Sequence, residues 1–327
     1  MSIHIKPAFK CCHQLTGICF LMLTLLLSAC HSQEPQLRIG TSIWAGYEPL
    51  YLARSLGSYE GSQIKLIELS STSDVMHALR SGTLEGAALT LDETLTLLDD
   101  GFDLSVILVM DISDGGDALL AKPEITSLKA LRGKRVAVEK SNVGAILLDG
   151  ALQAAELTAA DIEIISCTIE AHINCYSSSD AVVTYEPVRT KLLQLGARQL
   201  FDSSQISGRI ADVLVVHTKT TKTNPHSLEQ LLTGYFKAYD YLTAQPEDAA
   251  QRMAKRMALP PADVLAAYEG IKLQGIEDNR RLLQSEPAPF EDTAAKLADF
   301  MYNRKLLKNQ LTIDNFVDSS FLPSDTL

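Results

Sequence analysis

The sequence predicts an α/β protein with two lobes, and three observations support this fold class. Strand-like and helix-like segments alternate from Leu37 to Met110, which is typical of βαβ units around a mostly parallel sheet. The alternation restarts near residue 122 and continues to His217, and about 300 residues after the N-terminal segment suffice for two domains. From Asn224 onward, helical patterns predominate.

The first unit shows short strand patterns that are each followed by a helix pattern. Its strands are expected at Leu37–Ile43, Ile64–Leu69, Gly86–Thr90 and Leu104–Met110. Its helices are expected at Pro49–Leu56, around Met76 and Leu79, and at Asp92–Leu98. A glycine follows each of these helices, as at many helix ends.

The second unit repeats this pattern over residues 122–216. Its strands are expected at Arg135–Val138, Ile162–Ile165, Ala181–Thr184 and Asp212–His217. Its helices are expected after Ser127, over Asn142–Ala155 and over Pro187–Leu195. In the following helical region, apolar residues recur with the i, i+3, i+4, i+7 spacing of a buried helix face, at Leu228, Leu231, Leu232, Tyr235, Phe236 and Tyr239.

The N-terminal thirty residues have the order of a secretory signal. Lys6 and Lys10 precede an apolar run over Ile18–Leu27, which is too short to cross a bilayer as a helix. The sequence Leu27-Ser28-Ala29-Cys30 resembles the bacterial lipobox, in which the cysteine is lipidated. We therefore predict a signal peptide over 1–29 and a lipidated tether over 30–36; a buried apolar helix is the alternative.

Charge and hydropathy restrict the partners of the mature chain. Removal of residues 1–29 takes away two lysines and no acid, which shifts the formal net charge from −11 to −13. Nucleic acids and anionic lipid surfaces bind basic faces, so neither is an expected partner. No later apolar run is long enough to cross a bilayer.

Cysteine usage leaves one pair to explain. Six cysteines become three on maturation, and if Cys30 carries lipid, Cys167 and Cys175 remain in an oxidising compartment. They either form a disulfide or stay as two thiols. His172 lies between them, but no second pair completes a set of four metal ligands, so no metal site is predicted.

The sequence shows no recognised catalytic motif. It lacks G-x-S-x-G, H-E-x-x-H, a phosphate-binding loop and G-x-G-x-x-G. Ser62–Lys65 matches S-x-x-K, but the S-D-N and K-T-G motifs that accompany it in enzymes are absent. We therefore predict a protein that is not an enzyme and needs no cofactor.

Candidate ligand-binding residues lie where predicted strands end, because ligands of open α/β sheets bind beyond the carboxyl ends of strands. Trp44 and Tyr47 follow the first strand, and the single tryptophan offers a wall for a planar or cationic group. Asp92 follows the third strand and Asp111 the fourth. Trp44 could instead cap the core, and Asp92 could cap a helix.

The second unit adds candidates at two further strand ends. Ser141 and Asn142 lie at a strand-to-helix junction, where free amides and hydroxyls can hold a ligand oxygen. Tyr185 and Glu186 come directly before a proline-initiated helix. Glu186 could instead serve only as a partner of that helix's dipole.

Four segments in order resemble solute-binding proteins for nitrate, sulfonate, taurine and thiamine-precursor uptake. They are Ile39–Pro49 (IGTSIWAGYEP), Gly86–Glu93 (GAALTLDE), Leu131–Val138 (LRGKRVAV) and Asp180–Pro187 (DAVVTYEP). The resemblance extends over about residues 37–320. Together the segments point to the family and not to a particular ligand.

The resemblance implies a two-lobed type II periplasmic-binding fold. The first lobe would comprise 37–121 and 217–327, and the second lobe 122–216. Two segments, near Leu119–Lys122 and near Leu214–Thr218, would form the hinge, and the C-terminal helices would return to the first lobe. The lobes would close on a ligand by hinge motion.

The resemblance also implies a transport role. A monomer in the periplasm, anchored through lipid on Cys30, would deliver a small ligand to an ABC permease and its ATPase. His31 follows Cys30, and the aspartate that often marks inner-membrane retention is absent, which favours the outer membrane.

The ligand and the role stay open at this point. The candidate loops are rich in acids and poor in bases, which favours a cationic or amino-bearing ligand, such as an amine or an aminopyrimidine-like ring, over an oxyanion. A sensor that reports its ligand to a membrane signalling protein is an alternative role. An enzyme that makes a pyrimidine precursor is a further one, although the cysteine-rich motif of that branch is missing.

Overall fold

The fold was determined from a computed structural model, which describes Met1, 34–139 and 142–324, with residue 142 described by its backbone only. Residues Gln36–Leu327 form one compact unit. The predicted signal peptide, Cys30 and most of the tether lie outside the described residues. Across the described ranges, no helix combines the length and the apolar character that crossing a membrane would require.

A six-stranded sheet forms the base of one half of the molecule. Its strands are β1 (Leu37–Thr41), β2 (Ile64–Glu68), β3 (Gly86–Thr90), β4 (Leu104–Ser113), β10 (Ala211–His217) and β11 (Ile271–Leu273). They are arranged in the order β11-β4-β10-β3-β1-β2. The sheet is mixed, because β10 pairs antiparallel with both β3 and β4, whereas β1 pairs parallel with β2 and β3.

A five-stranded sheet forms the base of the other half. Its strands are β5 (Asp117–Ala121), β6 (Arg135–Val138), β7 (Glu163–Ser166), β8 (Ala181–Tyr185) and β9 (Arg198–Asp202). They are arranged in the order β7-β6-β8-β5-β9. Here β5 is antiparallel to both neighbours, and β6 is parallel to β7 and β8.

Helices follow most of the strands and cover both sheets. They are α1 (Glu48–Ser55), α2 (Thr72–Arg80), α3 (Leu91–Asp99), α4 (Asn142–Ala154), α5 (His172–Ser178), α6 (Val188–Gln194), α7 (Thr220–Thr223), α8 (Pro225–Ala244), α9 (Pro246–Met257), α10 (Pro261–Ala267), α11 (Ile276–Leu283) and α12 (Pro289–Asn303). Short 3-10 turns occur at Ala45–Tyr47, Leu128–Leu131, Ala159–Asp161, Ile169–Ala171 and Ser203–Ile206.

The α/β class is as predicted, but the expectation of mostly parallel sheets is wrong. The strands β5 and β10 are the first ones after the chain passes from one sheet to the other, and each enters its sheet antiparallel to its neighbours. The chain passes between the sheets twice, between Ser113 and Asp117 and between Asp202 and Ala211. Both crossings lie earlier in the chain than the predicted hinge segments.

The C-terminal helices pack on the six-stranded half, as the resemblance implied. Helix α8 lies against α1, and its buried residues Leu231, Leu232 and Phe236 share a core with Leu50 of that helix. Helix α12 packs against α3 and α11. The short strand β11 lies in a region predicted to be nearly all helix.

Candidate functional site

A small cavity lies between the two sheets. Residues from both sheets, from three α-helices and from one 3-10 turn are among those that line it: Ser42, Trp44, Tyr47, Thr72, Thr90, Glu93, Asp117, Val143, Tyr185, Ile210 and Asp212. Several of these residues lie at a strand end or directly beside one. Because the strand ends of both sheets meet here, side chains far apart in the sequence converge on one space.

Trp44 forms one wall of the cavity and is held from several sides. Its indole Nε1 donates a hydrogen bond to Asp111 Oδ2 at 3.1 Å. Its ring meets the ring of Tyr185 edge to face, with centroids 5.8 Å apart. A Cβ at Gly116 would come within 2.7 Å of the indole ring, so this glycine leaves the space that the indole occupies. Trp44 is therefore fixed before any ligand arrives.

Sheet register explains why the acids of the six-stranded half lie together. Asp212 on β10 is opposite Thr90 at the end of β3 and opposite Asp111 on β4. The hydroxyl of Tyr47 donates a hydrogen bond to Asp212 Oδ1 at 2.5 Å. These residues form one row across three neighbouring strands, directly under the first turn of α3.

Glu93 lies in that first turn and contributes a carboxylate to the cavity. Its Oε2 accepts a hydrogen bond from the amide of Thr90 at 3.0 Å. Its Oε1 is buried and has no hydrogen-bond partner among the described residues. The neighbouring Asp92 is fully buried as well, but it does not line the cavity.

The five-stranded half supplies the opposite wall. Asp117 at the start of β5 is paired in register with Tyr185 at the end of β8. The hydroxyl of Tyr185 donates a hydrogen bond to Glu139 Oε2 at 3.2 Å. His172 packs edge to face on Tyr185 at 6.4 Å, and its Nδ1 lies 3.0 Å from Thr184 Oγ1. Burial lowers the pKa of His172 to about 4, so this ring is neutral at pH 7.

Burial governs the protonation of the acids around the cavity. It raises the pKa of Asp111 and of Asp117 to about 7. It also raises the pKa of Glu139, which is less completely buried, to about 7. Burial and the neighbouring carboxylates raise the pKa of Glu93 and Asp212 well above the ordinary range. No Arg, Lys or His occurs among the described residues that line the cavity, and Lys140 lies outside the described ranges. The site therefore disfavours an anion.

Comparison with known proteins assigns the family. A sequence model described as NMT1/THI5 like matches residues 44–249, which is more than half of the chain. The chain belongs to the NMT1/THI5-like family. A search of curated protein sequences gave no match for this NMT1/THI5-like protein.

Solved structures show the same fold. The alkanesulfonate-binding protein SsuA of Xanthomonas axonopodis pv. citri, bound to MOPS, is 18% identical with a TM-score of 0.72, and the match covers 88% of this chain and 99% of that one. The aliphatic sulphonate-binding SsuA of Escherichia coli is 22% identical with a TM-score of 0.67, over 87% and 96%. The desulfurization enzyme DSZB is 16% identical with a TM-score of 0.62, over 88% and 97%. These matches support the periplasmic-binding fold, which hosts binding proteins and at least one enzyme.

The structure brings some of the sequence-predicted residues together and separates others. Trp44, Tyr47 and Tyr185 line the cavity of this NMT1/THI5-like protein, and Asp111 lies behind Trp44. Ser141 is outside the described residues. Asn142 begins α4, and nothing is described of its side chain.

Besides Asp111, two further predicted acids do not reach the cavity. Glu186 is fully buried and forms an ion pair with Arg189 at 2.8 Å, while its second oxygen accepts from the amide of Thr190 at 3.2 Å. Glu186 therefore lies at the start of its helix as a partner of the helix dipole, which is the alternative that the sequence analysis left open. Asp92 is buried at the start of α3 without lining the cavity, because the side chain of the next residue, Glu93, points toward the cavity instead.

Three lining acids were missed by the sequence reasoning, namely Glu93, Asp117 and Asp212. Glu93 and Asp117 lie in the same two acidic segments, 90–93 and 111–117, as the predicted residues Asp92 and Asp111. The sequence therefore predicted the segments correctly but not the acids that line the cavity. Asp212 is the second residue of the antiparallel strand β10, and the rule about carboxyl ends of strands does not select such a position.

The structure decides between the two alternatives left open for the cysteine pair. Cys167 and Cys175 are joined by a disulfide, with their Cα atoms 6.6 Å apart. The bridge links the loop after β7 to α5, the helix that carries His172. Within the described ranges, no group of three His, Cys, Asp or Glu residues is arranged to hold a metal ion.

Proposed function

We propose that this NMT1/THI5-like protein is an extracytoplasmic solute-binding lipoprotein that captures a small cationic or amino-bearing ligand, amine-like or aminopyrimidine-like, between its two sheets and delivers it to an ABC importer. One observation carries the ligand class: the described lining of the cavity combines three aromatic side chains with three buried acids and no base. Aromatic faces and carboxylates both attract positive charge.

The solved relatives support capture and import but not the same ligand. Two of them are named as sulfonate-binding proteins. A sulfonate needs donors such as Arg, Lys or several amides. Opposite Glu93, Asp117 and Asp212, it would meet no cationic donor, and each of these acids that is ionised would repel it in a buried space.

The remaining parts of the proposal concern lobes, anchoring and chemistry. We keep the predicted division into two lobes, 37–121 with 217–327 and 122–216, but move its limits to the two crossings between the sheets, which lie between Ser113 and Asp117 and between Asp202 and Ala211. Cys30 would carry the lipid and hold a monomer at the periplasmic face, with the outer membrane favoured.

The ligand would leave the site chemically unchanged. Ser42 is the one serine in the described lining, and its Oγ lies 3.2 Å from Thr72 Oγ1 without a hydrogen bond to a base among the described residues.

Isothermal titration of the mature chain tests the ligand class. The panel contains simple amines, aminopyrimidines, taurine and nitrate. We expect binding of at least one amino-bearing compound, weakened by Trp44→Ala because this change removes one aromatic wall. Tight binding of a simple oxyanion alone would contradict the ligand class, and no binding by any member would contradict capture of such solutes.

A further inference from the structure

One carboxylate oxygen in the cavity lacks a donor. Glu93 is 1% exposed, and its Oε2 is held by the amide of Thr90 at 3.0 Å. Its Oε1 has no hydrogen-bond partner in the described part of the chain. A cationic ligand favours the ionised form of this acid, in which Oε1 is a buried acceptor without a donor. A ligand that supplies an N–H at this point therefore gains more than a ligand that supplies only charge.

A second carboxylate faces the same cavity from the other sheet. Asp117 begins β5, is 5% exposed and lines the cavity beside Tyr185. Glu93 and Asp212 belong to the six-stranded half, whereas Asp117 belongs to the five-stranded half. A cationic group between them compensates acids from both halves at once, which an apolar or neutral group does not do.

The polar groups of the aromatic side chains do not take the place of an N–H donor from the ligand. The indole N–H of Trp44 is already donated to Asp111, and the hydroxyl of Tyr47 is donated to Asp212. Their ring faces remain for packing. Rings alone bind quaternary ammonium groups well. A quaternary nitrogen has no N–H, so it would leave Glu93 Oε1 unpaired inside the closed cavity.

We propose that the ligand presents a cationic group with at least two N–H donors, a primary ammonium, an amidinium or a guanidinium, which bridges Glu93 and Asp117, and that the site rejects quaternary ammonium groups. This inference rests on the proposed capture of a cationic solute in the cavity. It makes Glu93 the residue that discriminates between N–H-bearing and fully methylated cations.

Matched pairs of probes test the inference on the mature chain by isothermal titration. The pairs are methylamine with tetramethylammonium and benzylamine with benzyltrimethylammonium, with benzyl alcohol as the neutral compound. Within each pair that binds, we expect the amine to bind at least about tenfold more tightly, the factor typical of one hydrogen bond to a charged group. Equal or tighter binding of the methylated compound would overturn the inference.

Two variants connect the preference to the residues. Glu93→Gln and Asp117→Asn keep the shape and remove the charge, and each should reduce the amine-to-methylated affinity ratio about tenfold. Glu163→Gln changes an exposed glutamate on β7 and serves as the matched control with no expected effect. An unchanged ratio in Glu93→Gln would contradict the role given to Glu93.

The titration results distinguish a failure of this inference from a failure of the proposed function. If none of the five probes binds, the inference is overturned. The capture of solutes still stands if another member of the wider panel binds and Trp44→Ala weakens it. If the amines bind without preference over their methylated partners, the cationic ligand class stands and only the two-donor bridge is wrong.

Discussion

Asp111 has two roles at the level of single residues. It accepts the indole N–H of Trp44, and it lies within electrostatic reach of Asp117 in a region without exposure to water. The first role stabilises the wall of the cavity, and the second places like charges close together. The two roles can be separated by substitution, because an amide oxygen still accepts a hydrogen bond while carrying no charge.

We expect Asp111→Ala to reduce the free energy of unfolding by about 1–3 kcal/mol, because it leaves the buried indole N–H without an acceptor. Since Trp44 is the only tryptophan, its fluorescence should report the change directly. Urea unfolding and emission spectra at pH 7 measure both effects. Asp111→Asn is the matched control and should keep the native emission; a shifted emission in this variant would show that the bond to Trp44 is not the cause.

The sequence predicted the strand ends that supply the site but not which side chain of each would face the cavity. Asp92 and Glu93 are neighbours in one helix turn, and consecutive helical residues point about 100° apart. The direction of Glu93 depends on how α3 packs on the sheet, which a single sequence does not reveal. Asp212 was missed because the antiparallel entry of β10 reverses which strand end faces the cavity.

At the level of elements, α6 joins the two halves beside the cavity. Lys191 Nζ donates a hydrogen bond to the carbonyl of Met257 at 3.2 Å, and Gln194 Nε2 donates to Asp263 Oδ2 at 2.9 Å. Helix α6 covers the five-stranded sheet, whereas Met257 ends α9 of the other half. A lysine at a helix C-terminus also meets the negative end of the helix dipole. These contacts connect the two halves.

We expect Lys191→Met to increase the dissociation rate of a bound ligand several-fold, because it removes a donor that holds the two halves together while keeping most of the apolar stem. Stopped-flow fluorescence of Trp44 measures the rate. Lys191→Arg retains a donor and should stay near the native rate. A native rate in Lys191→Met would show that closure does not depend on this contact.

Element types were easier to predict than pairing directions. Apolar runs such as Leu104–Met110 and the spacing of Leu228, Leu231 and Leu232 identified β4 and α8 correctly. The antiparallel direction of β5 and β10 was missed, because direction is decided by where the chain crosses between sheets and not by local periodicity. Strand β11 has only three residues, too few for a periodic signal.

At the level of the whole molecule, the buried acids make stability depend on pH. Burial raises the pKa of Asp92, Asp111 and Asp117 to about 7 in the folded chain, whereas unfolded aspartates titrate near 4. A folded pKa above the unfolded value means that the folded chain binds more protons in between. The stability from these groups is therefore complete below about pH 4 and is lost as the pH rises to about 7.

We expect the free energy of unfolding of the ligand-free protein to decrease from pH 5 to pH 8 by several kcal/mol, because each of the three aspartates contributes roughly 1.4 kcal/mol per pH unit between its unfolded and its folded pKa. Urea unfolding at several pH values measures this decrease. Asp117→Asn should flatten it, whereas Asp314→Asn, which changes an exposed residue, should leave it intact. A bound amine should also flatten it by compensating the carboxylates. Constant stability over this range would mean that the acids keep ordinary proton affinities.

The bond between Cys167 and Cys175 has a practical consequence for obtaining the protein. It ties the loop after β7 to the helix that presses His172 against Tyr185, and thereby supports one wall of the cavity. Chains produced in a reducing cytosol would lack this support. Material for ligand screening is therefore best exported to an oxidising compartment during production, with mass spectrometry used to verify that both thiols have been consumed.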